Sequence, residues 1–232
     1  THSQPFLLGP LARRHFRSLK MLHPGLYLVT PDWPDTDALV AAVTALLPSR
    51  PALVQYRNKL ANGALKCEQA SRLLAVCRAA GVPLVINDDL LLALDIGADG
   101  AHLGRDDGDP AAARQQLGAG RILGVSCYNE WPRAVAAAAA GVDYLAFGAM
   151  YPSPTKPAAL RASLDLLTRA KREFGLPVAA IGGITLENAP PLIDAGADLL
   201  AVISDVFSAP DPAARAAAYA GLSDRSHQEP SA

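Results

Sequence analysis

Eight short apolar runs recur along the chain from Gly25 onward, at 25–30, 53–59, 84–88, 101–104, 122–127, 144–149, 178–183 and 199–204. A turn of polar residues or glycine follows each, and between the runs lie alanine-rich helical candidates such as 36–47, 66–80, 129–140, 161–174 and 186–195. Strands that stay apolar at consecutive positions are buried on both faces, as in a parallel sheet covered by helices. A doubly wound open sheet shares this alternation, but it has fewer strands and opens its first helix on a G-x-G-x-x-G turn that is missing here. Eight units within 232 residues fit closure, so the expected fold is α/β, a single (βα)8 barrel.

Glycine punctuates the helix-to-strand connections. Gly81-Val82-Pro83, Gly97-Ala98-Asp99-Gly100, Gly141-Val142-Asp143 and Gly196-Ala197-Asp198 each fall between a helix and a strand, where glycine ends the helix in a left-handed conformation. These are connections at the bottom of a barrel, with a structural role. Chemistry is expected at the opposite rim, where the strands end at their C-terminal side.

Half of the chain is apolar and only 6% is aromatic, which suits small helices on a branched-aliphatic sheet. A domain of this size buries about 70% of the surface its unfolded chain exposes and needs no disulfide or metal to stay folded. The net charge of −1 provides no field for nucleic acid or an anionic membrane, so neither is an expected partner. Cys67, Cys77 and Cys127 form no C-x-x-C pair, and the first two are well separated along one expected helix. A reducing, cytoplasmic setting follows. No apolar run approaches the ~20 residues of a membrane span. Residues 1–20 lack acids and carry Arg13, Arg14, Arg17 and Lys20, a composition shared by transit peptides and flexible tails. The expected organisation is an N-terminal extension over 1–22, a catalytic barrel over 23–222 and a flexible tail over 223–232.

Three rim segments carry candidate chemistry. Gln55, Arg57 and Lys59 are spaced by two, so within a strand they share one face. Turned inward, that face would bury two cations, and an anionic ligand would account for them; an exposed edge face or partners elsewhere in the core are the alternatives. The third strand ends in Asn87-Asp88-Asp89 and the fourth runs out through Gly104-Arg105-Asp106-Asp107. Carboxylates ending neighbouring strands can hold a hard cation completed by phosphate and water. Asp89 and Asp106 are expected instead to cap the helices that follow. Beyond strands seven and eight, Ile181-Gly182-Gly183-Ile184 and Val202-Ile203-Ser204 offer the glycine-lined phosphate site usual in this barrel. His102 reads as a hydrogen-bonded core residue, no His/Cys cluster has zinc spacing, and no G-x-S-x-G elbow is present.

Taken in order, these segments resemble the thiamine phosphate synthase family. The matching pieces are Gln55-Tyr56-Arg57-Asn58-Lys59, Ile86-Asn87-Asp88-Asp89, His102-Leu103-Gly104 and Gly124-Val125-Ser126. They continue with Asp143-Tyr144, Pro152-Ser153-Pro154-Thr155-Lys156, Ile181-Gly182-Gly183-Ile184 and Ala201-Val202-Ile203-Ser204, covering about residues 25–207. The resemblance implies that Gln55, Arg57, Lys59 and Asn87 contact a pyrimidine diphosphate, and that Asp88 and Asp107 hold Mg²⁺. It implies that Ser126 helps bind the pyrimidine and the departing diphosphate, and that Ser153, Thr155 and Lys156 grip phosphates. It also implies that Gly183, Ile203 and Ser204 seat a thiazole phosphate. Ser153, Ala149 and Tyr128 stand where the family usually has threonine, often has proline and commonly has histidine.

The implied reaction joins 4-amino-5-hydroxymethyl-2-methylpyrimidine diphosphate to 4-methyl-5-(2-phosphoethyl)thiazole, giving thiamine phosphate and pyrophosphate; from the carboxylated form of the thiazole, the carboxyl group is also lost as CO₂ after coupling. Arg57, Lys59, Ser126 and Lys156 would carry catalysis, with the two small molecules as partners and a homo-oligomer left open. Two rivals use the same barrel: a thiazole tautomerase, whose histidine would stand near Tyr128, and a noncatalytic sensor of thiamine precursors. A phosphosugar isomerase or epimerase would need a paired acid and base that the sequence does not offer.

Overall fold

A computed structural model describes residues 22–152 and 160–225. Ser153, Thr155 and Lys156 lie outside the described residues. Eight parallel strands pair in sequence order, and the last pairs with the first. They are β1 (Gly25–Val29), β2 (Leu53–Tyr56), β3 (Leu84–Asn87), β4 (Gly100–Leu103), β5 (Ile122–Tyr128), β6 (Tyr144–Phe147), β7 (Val178–Ile181) and β8 (Leu199–Val202). The expected (βα)8 barrel is therefore the fold.

The surrounding helices are α1 (Thr36–Leu46), α2 (Gly63–Ala79), α3 (Leu90–Asp95), α4 (Pro110–Leu117), α5 (Trp131–Ala139), α6 (Leu164–Phe174), α7 (Pro190–Asp194), α8 (Ser204–Phe207) and α9 (Pro212–Arg225). Short polar side chains start several of them. Asp35, Asn62, Asp89 and Asp109 each accept a hydrogen bond from the backbone N–H three residues on. Asp89 caps α3 as expected. Asp106 does not cap α4: Asp109 does, because Pro110 follows it at the first helical position, where a missing N–H costs nothing.

Period-two alternation divides the strand residues between two cores. Leu26, Leu28, Val54, Ile86, Leu103, Leu123 and Phe147 face outward into a cluster shared with helix residues such as Leu39, Val43, Leu73 and Leu167. Tyr27, Val29, Leu53, Val85, Ile122, Tyr144, Ala179, Leu199 and Ala201 face inward and pack on one another. Both faces are apolar, and for that reason the strands read as continuous apolar runs. The interior is filled by pairing large with small. A Cβ at Gly124 would lie 2.0 Å from Cζ of Tyr144, so the absence of a side chain on β5 makes room for the tyrosine ring of β6.

At the bottom, the glycines expected to end helices do so: Gly81, Gly97, Gly141 and Gly196 all have positive φ, between 67° and 100°. The aspartates beside three of them have a second task. Asp99, Asp143 and Asp198 each begin the approach to a strand, and each carboxylate accepts the N–H of the first or second residue of the preceding strand. Those residues are Leu84, Leu123 and Val178, at 3.0, 2.7 and 2.8 Å. The backbone N–H of each aspartate donates back to the carbonyl of the same residue. β3 is thereby tied to β4, β5 to β6, and β7 to β8 by one repeated device.

Candidate active site

All strands but β5 end sooner than the apolar runs suggest, and the rim is built largely from the residues just beyond them. β2 stops at Tyr56, so only Gln55 of the Gln55/Arg57/Lys59 set lies within the strand. Gln55 is buried and points inward, donating from Nε2 to Tyr27 Oη. Arg57 is fixed by Thr30, which accepts from its N–H at 2.8 Å and donates to its carbonyl at 2.9 Å. Its guanidinium donates to both oxygens of Asp32 at 2.9 and 3.0 Å. The supposition that Arg57 is a buried cation lacking a protein partner is thus corrected: Asp32, in the loop after β1, neutralises it. The companion supposition for Lys59 is also corrected, since its side chain is 53% exposed and its Nζ lies 3.7 Å from Asp88. Asp32 further accepts the Lys59 N–H at 2.8 Å, so one carboxylate sets the shape of the loop that carries both cations.

Asp88 follows β3 with φ at +63°, a conformation that side chains adopt seldom and that redirects its carboxylate over the rim. Asp107 comes from the loop after β4 and accepts the Gly104 N–H at 2.8 Å. The two carboxylates converge there: a Cβ on Gly104 would fall 2.7 Å from Asp107 Oδ2 and 3.6 Å from Asp88 Oδ1. Burial raises the Asp88 carboxyl above the ordinary range, and the Asp107 carboxylate raises it further against the pull of Lys59. Two like charges held together in this way fit a divalent cation between them. Among the described residues no group of three or more His, Cys, Asp or Glu could form a complete cage. The pair therefore suits an ion such as Mg²⁺, which takes most ligands from water and phosphate. Asn87, Asp88, Lys59 and, from α2, Lys66 line a cavity of about 40 Å³ between the loops of β2 and β3. Lys66 was not singled out from the sequence, since a lysine in a helix reads as solvated.

Ser126 sits on the inward face of β5, toward His102 of β4. Its Oγ is 2.8 Å from Nε2 of His102, whose Nδ1 is 2.8 Å from Tyr144 Oη. Burial depresses the His102 imidazolium to about 4, against the nearby charge of Asp107, so the ring is neutral near pH 7. His102 is the hydrogen-bonded core residue that was expected, with the addition that its partner is a rim serine. Arg133 of α5 ties the ends of β4 and β5, donating to the carbonyls of Ser126 and Gly104 at 2.6 Å each. Tyr128 lies beneath the guanidinium of Arg105, 4.8 Å from its ring centre, and its hydroxyl accepts the Arg105 N–H.

On the far side of the rim, Gly183 and Gly182 have positive φ. A Cβ at Gly183 would lie 2.4 Å from the Pro152 carbonyl, and one at Gly182 would lie 2.8 Å from Cα of Ala149. The glycines thus let the loops after β6 and β7 pack against each other. Ile203 packs against the inner cluster, and Ser204 starts α8. Asp205 and Glu187 both grip Arg215 of α9, which anchors the loops after β7 and β8 from outside.

Comparison with known proteins places this arrangement in a lineage. Residues 26–206 match the family described as thiamine monophosphate synthase. The thiamine-phosphate synthase of Aromatoleum aromaticum is 64% identical over 200 residues, covering 86% of this chain and 96% of that one. That of Azoarcus sp. (strain BH72) is 65% identical over 198 residues, covering 85% and 96%. Among solved structures, thiamine phosphate pyrophosphorylase from Pyrococcus furiosus superposes with a TM-score of 0.77 at 28% identity, covering 87% of this chain and 96% of that chain. The chain belongs to the thiamine monophosphate synthase family.

Proposed function

We propose that this protein is a thiamine-phosphate synthase that transfers the pyrimidinylmethyl group of 4-amino-5-hydroxymethyl-2-methylpyrimidine diphosphate to the ring nitrogen of 4-methyl-5-(2-phosphoethyl)thiazole, or its carboxylated form. The observation that carries the reading is the convergence of Asp88 and Asp107 over Gly104, with the Lys59 ammonium 3.7 Å from Asp88. A carboxylate pair and an exposed cation beside it are what a diphosphate leaving group with its metal requires, and they would have no evident task in a tautomerase.

Asp88 and Asp107 would hold Mg²⁺, which when bound would offset the negative charge of the diphosphate. Lys59 is exposed enough to reach the same diphosphate, and Asp32 presents the Arg57 guanidinium with its orientation fixed. The bond between the exocyclic methylene and the diphosphate oxygen breaks with its electron pair going to pyrophosphate. The aminopyrimidine delocalises the resulting cation until the thiazole nitrogen supplies the new bond. Gln55, Asn87 and Ser126 hold the pyrimidine in place, while Gly183, Ile203 and Ser204 hold the thiazole phosphate. Ser153, Thr155 and Lys156 complete the phosphate contacts in this reading. Positioning and stabilisation of the leaving group supply most of the rate. That account needs no strong acid or base, in keeping with the neutral, buried His102.

No helix among the described residues is long and apolar enough to cross a membrane. We assign the catalytic unit to residues 23–222, with 1–22 and 223–232 as flanking extensions, and a cytoplasmic location.

The test is formation of thiamine phosphate and pyrophosphate from the two purified substrates, with Mg²⁺ and with EDTA. Equal amounts of both products, abolished by EDTA, support the assignment. Binding of the thiazole phosphate without any product would overturn it in favour of the tautomerase or the sensor.

A further inference from the structure

Five side chains from five strands form an unbroken hydrogen-bonded line across the barrel interior. Gln55 Nε2 on β2 donates to Tyr27 Oη on β1, and Tyr27 Oη lies 2.6 Å from Tyr144 Oη on β6. Tyr144 Oη lies 2.8 Å from His102 Nδ1 on β4, and His102 Nε2 lies 2.8 Å from Ser126 Oγ on β5. The three central members are 5% exposed or less. Such a line is costly to bury in part and rigid when complete. Of its two ends, Ser126 is partly exposed and Gln55 is buried, and both are among the residues assigned above to the pyrimidine.

The line has a direction. Tyr27 has one hydroxyl proton, and having accepted from Gln55 it passes that proton to Tyr144. Tyr144 in turn passes its own to Nδ1 of His102. A neutral imidazole that accepts at Nδ1 carries its proton on Nε2 and donates it to Ser126. The Ser126 hydroxyl proton is then left for a ligand. At the other end the amide of Gln55 turns its nitrogen to Tyr27, which takes one of its two N–H groups and leaves Oε1 on the opposite side of the amide. We propose that Tyr27, Tyr144 and His102 are positioning residues that preset Gln55 as a hydrogen-bond acceptor and Ser126 as a donor. The pair is thereby matched to a heterocycle bearing an exocyclic amine beside an acceptor ring nitrogen. This deepens the proposed function and rests on it for the identity of the ligand, an aminopyrimidine. A pyrimidine with an oxo group in place of the amine would meet Oε1 with another acceptor and be rejected.

The polarity is read by the His102 tautomer, through long-range ¹H–¹⁵N spectra of ¹⁵N-histidine-labelled protein at pH 7.5. Assignment comes from a form in which the other four of the five histidines are replaced by glutamine. The expected tautomer is Nε2–H. An Nδ1–H tautomer means that the line runs the other way and overturns the proposal.

The positioning role is read with Tyr144→Phe, which removes the central hydroxyl and keeps the ring. The expected result is a mixed His102 tautomer and a fall of roughly tenfold or more in kcat/KM for the pyrimidine diphosphate, with KM for the thiazole phosphate unchanged. Unchanged pyrimidine kinetics in a folded Tyr144→Phe protein, or an equal loss for both substrates, overturns the role. If that variant does not fold, Tyr27→Phe tests the same step from the neighbouring ring. A wild-type protein that has the Nε2–H tautomer but makes no product refutes the synthase assignment while sustaining the polarity.

Discussion

Replacing Gly124 by alanine adds one methyl group to the barrel interior, and the structure shows what it would meet. The new Cβ would lie 2.0 Å from Cζ and 2.3 Å from Cε1 and Oη of Tyr144, a residue with no exposed surface. To recover an ordinary carbon–carbon contact of about 3.5 Å the ring must retreat by about 1.5 Å. It cannot do so and keep Tyr144 Oη within 2.6 Å of Tyr27 and 2.8 Å of His102. Two buried hydrogen bonds then fail, each at about 1–3 kcal/mol, and overpacking adds about 1–3 kcal/mol. The lower ends sum to about 3 kcal/mol, and the stiffer unfolded chain offsets about 0.4–1 of it, leaving a loss of about 2 kcal/mol or more. For a domain of this length that lowers Tm by roughly 4–8 °C. Urea unfolding should show a lower midpoint with an unchanged slope. In a Tyr144→Leu background the collision partner is gone, and Gly124→Ala should cost less than about 1 kcal/mol. An equal cost in both backgrounds would refute the steric explanation.

Three further expectations follow from the rim, the outer clamp and the thiols. Lys59→Ala should lower kcat by about 100-fold with saturating substrates, since it removes charge stabilisation of the leaving group; near-normal turnover would sink the proposed chemistry. Arg215 holds Glu187 down to about 2 by hydrogen bonding; burial pushes Asp205 up, but its bonds to Arg215 and Tyr219 bring it below the ordinary range. Depressed carboxyls stabilise the fold above their unfolded pKa of about 4 and lose that contribution as pH falls through the folded value. The deficit in urea midpoint of Arg215→Met relative to wild type should therefore be constant above about pH 5 and shrink toward pH 2; a deficit undiminished at low pH would count against the clamp. Burial pushes the Cys77 and Cys127 thiols up to about 12, whereas Cys67 is exposed. A thiol reagent at pH 8 should modify Cys67 alone in the native protein and all three in urea; rapid loss of the Cys127 thiol without unfolding would contradict the packing described.

The eight strands were legible because each is apolar on both faces, and their starting positions were read almost without shift. Their ends were not. An apolar run gives no sign of where pairing stops, so Arg57 and Lys59 were read as strand residues although β2 ends at Tyr56. Short helices such as α3 and α8 went unread because a single turn shows no periodicity. At the site, Asp88 and Asp107 were named from the family pattern, and the structure brings them together. Asp32 was missed because it meets Arg57 from 25 residues away, a distance that spacing rules do not cross. Tyr27 and Tyr144 were missed for another reason: in an apolar run their rings count as packing and their hydroxyls go unnoticed. Parity along one strand does not fix the face of a residue on its neighbour; the register between strands does, and that comes from the structure.

The paired bonds made by Asp99, Asp143 and Asp198 at the base have a kinetic consequence. Each closes a strand–helix–strand unit over a separation of only 15, 20 and 20 residues. Loop closure over 20 residues costs only about 0.3 kcal/mol more than over 15, so no unit has an entropic head start over the others. Three neighbouring parts of the chain can begin to order independently, each latched by its own carboxylate before the β8-to-β1 seam is made. Closing that seam brings together strands from opposite ends of the domain, and it is the step in folding that waits for all the rest.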